Sequence, residues 1–308
     1  MRYLPIALMA VVSPWLAGGE AAAQEAAHDQ GPGDANKERL PLDDMRDVAD
    51  WYNGSPEETE ISSSDRHAEP GKSSLKFANV VDHTKGEKNY PIGWPRTGKD
   101  VARAGTSDWS EYDFFECSIY AETSGPSLPG TPLGVGFYHT GQKRTSSFPL
   151  KEVKKDEWVK IVIPVSELLE PADVQRVQFN ISESDYKHGD RVDFYIADVA
   201  LTRLVHPTIA ELALDRRLLY SNDRRITALY ALMGRRGLEE VNVELEIGRP
   251  DQPAAKAVGR ASRHGELSVA ITEPLVPGNY AASLRLRNAN GELVDQGRVE
   301  FRVIEGPF

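Results

Sequence analysis

Aromatic, amide and carboxylate side chains recur at every second position in three separated segments of the chain. In "FFECSIY" (114–120), Glu116, Ser118 and Tyr120 alternate with Phe115, Cys117 and Ile119. In "LGVGFYHT" (133–140), Gly134, Gly136 and Tyr138 alternate with Leu133, Val135 and Phe137. In "RVQFNIS" (176–182), Gln178, Asn180 and Ser182 alternate with Val177, Phe179 and Ile181. Alternate residues of a strand face opposite sides, so each segment reads as a strand with one apolar and one polar face. If the three share a sheet, its outer face carries Glu116, Tyr120, Tyr138, Gln178 and Asn180. Such a set suits a pyranose, whose C–H face stacks on an aromatic ring while amides and carboxylates bond its hydroxyls. Gly134 and Gly136 would leave a groove between larger side chains. Trp94, in the loop "YPIGWPR" with Tyr90, is a further stacking candidate. A plainer alternative stands beside this one: antiparallel sheets commonly have one solvated polar face with no ligand, and Trp94 then packs over the end of the fold.

Other chemistry has thinner support. G-x-S-x-G, H-E-x-x-H, a P-loop and G-x-G-x-x-G are all missing. The seven histidines are scattered, with His139 and His188 nearest the expected polar face. Glu183 and Asp185 are one of many acid pairs that glycosidase chemistry could use, provided they lie about 5–9.5 Å apart around a scissile bond. Cys117, the single cysteine, alternates with apolar neighbours and reads as a buried small residue. The Arg-Arg doublets at 216/217, 224/225 and 235/236 read as solvated strand edges rather than an anionic-glycan patch. A formal net charge of -11 argues against non-specific nucleic-acid binding, which needs cations to neutralise phosphates.

The elements that carry these residues are short strands. From about 44 to 204 the runs "SSLKFANV", "DFFECSIYA", "LGVGFYHT", "TSSFPL", "WVKIVIPV", "RVQFNISE" and "VDFYIADVALTR" alternate with Gly, Pro, Asn and Asp clusters. "VSELLEPAD" reads as a short helical turn. From about 205, "ALDRRLLY", "RITALYALMG", "EVNVELEIG", "GELSVAIT", "GNYAASLRLRN" and "RVEFRVIE" read as strands again, with a hairpin signal at Asn290-Gly291. Residues 204–308 carry 14 Lys and Arg against 14 Asp and Glu, so the whole net charge precedes them, as do all five tryptophans. Two differently composed all-β units are therefore expected, at 44–204 and 205–308. Ahead of them, Arg2, the apolar run Ile6 to Leu16 and the small residues Ala21 to Ala23 read as a signal peptide over 1–23. That run is too short to span a bilayer, and no other segment approaches the length. Residues 24–43 are polar and aperiodic and are expected to form a disordered leader. Together these features predict a secreted, periplasmic or cell-surface protein.

The first unit resembles the galactose-binding-like jelly rolls used as carbohydrate-binding modules. "EPGKSSLKF" (69–77) is similar to the family's G-x-x-S-L-x-F entry strand, and "DWSEYDFFECSIY" (108–120) to its D-W-S-x-Y-x-x-L-x-F-x-V-Y. "DEWVKIVIPVSEL" (156–168) is similar to x-x-W-x-x-V-x-I-P-L-x-x-L, and "DFYIADVALTR" (193–203) to the closing F-Y-I-D-D-V-x-L. By this resemblance Trp109 and Trp158 start strands and serve the fold; Trp51 lies near the unit's entry. The resemblance implies a jelly-roll β-sandwich, sugar binding on one face or at the loops, and a structural calcium ion. Ala197 stands where the closing motif has its first Asp, which leaves Asp198. Asp198 with Glu60 or Glu69 would bring carboxylates of the first and last strands side by side; the alternative is that these are edge charges. The second unit looks like the immunoglobulin-like or fibronectin-like sandwiches that link such modules to glycoside hydrolase barrels, and the chain stops where those enzymes continue into a catalytic domain.

The expectation is thus an exported accessory protein, or the accessory region of a glycoside hydrolase, that binds a polysaccharide without a catalytic domain of its own. Two alternatives remain at this point: a structural or protein-interaction module at the cell surface, and an unrecognised polysaccharide hydrolase or lyase.

Overall fold

The computed structural model describes residues 36–69, 71–86, 92–140, 145–249 and 252–306. The expected signal peptide, the leader as far as residue 35, His28 and Tyr90 lie outside the described residues. Strands joined by turns and short 3-10 segments make up the regular structure, so the class is all-β. No helix among the described residues is long and apolar enough to cross a membrane.

Eleven strands build the first sandwich: β1 (Lys37–Pro41), β2 (Trp51–Asn53), β3 (Thr59–Ser64), β4 (Ser74–Val80), β5 (Arg96–Asp100), β6 (Phe114–Thr123), β7 (Leu133–His139), β8 (Thr145–Leu150), β9 (Trp158–Pro164), β10 (Val174–Asn180) and β11 (Arg191–Leu204). Six of them form one antiparallel sheet in the order β3-β4-β11-β6-β9, with β1 also paired to β11. The other five form a second sheet in the order β2-β5-β10-β7-β8. The apolar sets expected on β6, β7 and β10 all point into the space between the sheets. Phe115 of β6 meets Phe137 of β7 edge-on at 5.0 Å, and the buried Trp109 stacks on Phe115 at 5.8 Å. Cys117 lies in this core, and burial pushes its thiol pKa well up, which removes the thiolate that a nucleophile needs.

Two expectations are corrected here. Residues 37–41, expected within a disordered leader, form β1 and pair with Ala200–Leu204 of β11. The pairing gives an otherwise polar segment a ladder of backbone hydrogen bonds and sets Leu40 against the core. The second correction concerns sheet membership: β6 lies in the β11 sheet, whereas β7 and β10 lie in the other. The single polar face expected from their alternation is two faces, on opposite outsides of the sandwich.

A second sandwich with its own apolar core follows. It is made of β12 (Thr208–Leu214), β13 (Leu218–Tyr220), β14 (Arg225–Met233), β15 (Val241–Arg249), β16 (Gln252–Arg260), β17 (His264–Ala270), β18 (Gly278–Asn288) and β19 (Leu293–Ile304). One sheet runs β12-β14-β17 and the other β13-β19-β18-β15-β16. Asn290-Gly291 closes the β18–β19 hairpin, with Gly291 at φ 81°, where the left-handed region favours glycine. Of the Arg-Arg doublets, 235/236 is more than a strand edge. Arg235 donates to the Ser110 carbonyl and Arg236 pairs with Glu111 at 3.2 Å, so the doublet ties this unit to the first.

Candidate functional site

The two outer faces differ in what they leave free. On the β11 sheet, Glu116 is only 3% exposed. Lys37 of β1 reaches it at 2.9 Å and Lys160 of β9 at 3.0 Å. Burial alone would raise its pKa, but the hydrogen bonds and charges of the two ammonium groups outweigh that and hold the carboxyl below its ordinary range. Tyr120 is likewise engaged. The His67 ring stacks on it at 4.0 Å, Trp158 lies at 5.6 Å, and Tyr195 meets it edge-on at 6.1 Å. Glu122 fixes this cover by accepting from Arg66 at 2.7 Å and Tyr195 at 3.1 Å and meeting His67 at 3.0 Å. Trp158 donates its indole N–H to the His67 carbonyl at 2.9 Å. Glu116 and Tyr120 are therefore members of packed networks rather than a free sugar platform, because Lys37 and Lys160 engage the first and His67 and Trp158 the second.

The β10 sheet is built differently. Gln178 faces Gly98 across one neighbour and Gly136 across the other, and Asn180 faces Arg96 and Gly134. Beyond them, Gly134 faces Pro149, Gly136 faces Ser147 and Gly98 faces Tyr52. Three glycines thus flank two amides, and of the three only Gly134 lines an open cleft; Gly98 and Gly136 are buried beneath neighbouring side chains. At Gly98 the room is used: an added Cβ would lie 2.7 Å from Tyr52 Cε1 and 2.6 Å from the Val177 carbonyl oxygen. Tyr52 donates its hydroxyl to Gln178 Oε1, and Gln178 Nε2 donates to the Tyr138 hydroxyl at 2.9 Å. Arg176 lies over both rings, 5.0 Å from Tyr52 and 5.6 Å from Tyr138, and bonds Asp100 at 2.8 Å. The amide of Gln178, 3% exposed, is spent inside this cluster, so Gln178 and Tyr138 form its rigid wall.

Asn180 stands one row further along. Its amide touches the empty space above Gly134, where a Cβ would sit 3.4 Å from both Nδ2 and Oδ1. This space opens into a cleft of about 280 Å³ whose lining includes Trp94, Gly134, Ser147, Asn180, Ser182 and Asp185. Trp94 is 37% exposed, a high value for an indole, and Arg96 lies 5.2 Å over one face of the ring. The cleft therefore offers an aromatic surface, an amide, hydroxyls and a carboxylate within one small volume.

The remaining expected residues fall elsewhere. His139 turns inward and contacts Ser146 Oγ at 3.1 Å and the Asp173 carbonyl at 3.2 Å. His188 sits 3.7 Å from Asp82. Trp51 is buried and donates its indole N–H to Asp43 at 2.9 Å. Asp185 lines the cleft, but its expected partner Glu183 is fully buried and faces Glu58. Burial, followed by the negative charges of Glu183 and Asp82, pushes the Glu58 carboxyl up to about 7.

The expected calcium ligands do not fit a metal. Asp198, in the β11 bulge at φ 53°, lies 3.6 Å from Arg39, whose guanidinium also donates to its carbonyl at 2.6 Å. Glu69 pairs with Lys72 at 2.8 Å, and Lys72 is drawn further by Asp198. Glu60 is an exposed side chain on β3. Asp198 and Glu69 are each paired with a cation of the chain, and no group of three or more metal-ligating side chains forms among the described residues.

Sequence reasoning missed Tyr52, Arg96 and Arg176. The strands carrying the first two, "WYN" and "RTGKD", are short and lack apolar alternation. The one available signal was Gly98, placed in period-two step between Arg96 and Asp100.

No family model matches the chain, and no curated protein matches it. Among solved structures, the glycoside hydrolase domain of Endo-D from Streptococcus pneumoniae R6 aligns at 14% identity and TM-score 0.28, over 82% of this chain and 37% of that one. A β-glucuronidase from Ruminococcus gnavus aligns at 10% identity and TM-score 0.29, over 87% of this chain and 45% of that one. The chain thus spans less than half the length of either protein. Likenesses this loose support no assignment of activity.

Proposed function

We propose that this chain is a non-catalytic carbohydrate-binding protein of the jelly-roll type, and that it takes a glycan at the cleft beside Trp94. The observation that carries this reading is the exposed Trp94 indole lining one cleft with Gly134, Asn180, Ser182 and Asp185. A sugar ring stacks on the indole face opposite Arg96, and its hydroxyls bond the amide, hydroxyl and carboxylate. The Tyr52–Gln178–Tyr138–Arg176 cluster fixes the strand that bears Asn180. The N-terminal apolar run supports export, and the second, immunoglobulin-like unit then acts as a spacer toward a polysaccharide-degrading partner. Glu183 and Asp185 do not act as a pair for the hydrolase alternative, since Asp185 lines the cleft while Glu183 is buried outside its lining.

Affinity electrophoresis against a panel of neutral and acidic polysaccharides tests the proposal. At least one polysaccharide should retard the protein. Trp94→Ala should weaken that retardation by about tenfold or more, the loss of a buried aromatic contact worth at least about 1.4 kcal/mol. Tyr120→Ala should leave it unchanged. A flat panel, or equal retardation of Trp94→Ala, would remove the cleft from consideration.

A further inference from the structure

Two carboxylates at one end of the first sandwich each have a buried oxygen that no protein group satisfies. Glu183, in the turn after β10, is 0% exposed. Its Oε1 accepts from the Asp82 backbone N–H at 2.9 Å, while its Oε2 has no partner. Glu58, in the turn before β3, likewise has a buried Oε1 without a partner. The two orphan oxygens come from different loops and converge on one place. A Cβ on Gly93 would lie 2.2 Å from Glu183 Oε2 and 3.1 Å from Glu58 Oε1. Glycine at 93 is what keeps that space empty.

An ionised carboxylate oxygen out of water and unbonded is costly, and two that face each other are costlier. Elsewhere the chain answers this problem with its own cations, as Lys37 and Lys160 do for Glu116. Here His188 lies 3.7 Å and Lys85 4.0 Å from Asp82, and His83 meets the Glu183 backbone carbonyl at 3.0 Å, so none of them bonds either orphan oxygen. What remains at the Gly93 space is a pair of hard oxygen donors from separate loops, one of them carried by the half-buried Glu58. Oxygen donors of that kind, completed by water and backbone carbonyls, are the coordination that Ca2+ takes.

We propose that Glu58 and Glu183 bind a divalent cation, Ca2+ by the chemistry of their oxygens, in the space left by Gly93. The site lies at the opposite end of the β3–β4 hairpin from Glu69, and it shares no residue with the Asp198 set. It also lies one residue before Trp94, so an ion there fixes the loop that carries the indole into the cleft. The metal site stands on its own geometry and does not depend on the glycan reading.

Calorimetric titration of the EDTA-stripped full chain with CaCl2, paired with thermal melts, tests it. One equivalent should bind with an affinity no weaker than about millimolar, the range of extracellular Ca2+ modules. The melting temperature should rise on binding and fall again with EDTA, and MgCl2 should do less. Glu58→Gln should weaken binding by tenfold or more, and Asp198→Asn should not. Glu183→Gln should behave as Glu58→Gln does; if that variant fails to fold, the half-buried Glu58 position decides alone. The absence of both binding heat and stabilisation at millimolar Ca2+ would overturn the proposal. So would a calcium response that survives Glu58→Gln, or one abolished only by Asp198→Asn.

Discussion

Replacing Trp109 by Ala is expected to lower the unfolding free energy of the first sandwich by about 3–5 kcal/mol, the usual loss for a fully enclosed large aromatic. Trp109 is 0% exposed and touches both sheets, stacked on Phe115 and edge-on to Phe137 at 5.6 Å. Its indole N–H donates to the Thr106 carbonyl at 2.7 Å, so truncation also strands a backbone acceptor. The cavity lies where the sheets are held together, and the side chains around it belong to strands that cannot collapse inward without breaking register. Calorimetry should show the melting temperature falling by about 10 °C, at roughly 2–4 °C per kcal/mol for a unit of this size. Trp158→Ala is the comparison. That indole is more than a third exposed and should cost far less. Equal losses at the two positions would mean that Trp109 is not the keystone of the core.

The second large effect comes from the ion cluster that closes the β11 sheet. Replacing both Lys37 and Lys160 by Met leaves the Glu116 carboxylate buried and unpaired, at a cost of about 3–5 kcal/mol. Lys37 should account for most of it, because its side chain is 13% exposed against 52% for Lys160. The pH dependence should change sign as well. In the native chain the folded state holds Glu116 below its unfolded value of about 4.5. The unfolded chain therefore binds the proton first as pH falls, and the stabilisation is present above that value and lost on going below it. In the double variant burial acts alone and raises the folded pKa, so stability falls as pH rises through the same region. Urea midpoints at about pH 4 and about pH 7 separate the two cases, and Glu116→Gln in the native background should show neither slope. An unchanged slope in the double variant would show that the lysines do not set this carboxylate.

Much of this architecture was legible in the chain. "DFFECSIYA", "LGVGFYHT", "WVKIVIPV" and "VDFYIADVALTR" became β6, β7, β9 and β11 because β-branched and aromatic residues alternate cleanly there. The strands that were not legible are those whose side chains add little apolar burial to their backbone pairing. "KERLP", "RTGKD" and "QPAAKAVGR" have no apolar period, yet they become β1, β5 and β16 because a neighbouring strand offers free N–H and C=O groups. The site was legible one strand at a time. Alternation tells which side of a strand faces out, and it was right for Tyr120, Tyr138, Gln178 and Asn180. It cannot tell which sheet a strand joins, so it merged two faces that lie on opposite sides of the sandwich. Nor does it count what comes from outside the strand, such as Lys37 on Glu116 or His67 on Tyr120. The Glu58–Glu183 pair is a contact between two loops 125 residues apart, and nothing in local sequence announces it.

The proposed function depends on where a sugar meets this surface. An amide and indole NMR titration with an oligosaccharide of whichever polysaccharide retards the protein tests that most directly. The predicted result is a saturable set of shifts at the Trp94 indole N–H, the Asn180 side-chain amide and the backbone N–H groups of Gly134 and Gly136. Shifts confined to His67, Tyr120 and Trp158 on the opposite face, or none at all under saturating oligosaccharide, would contradict it.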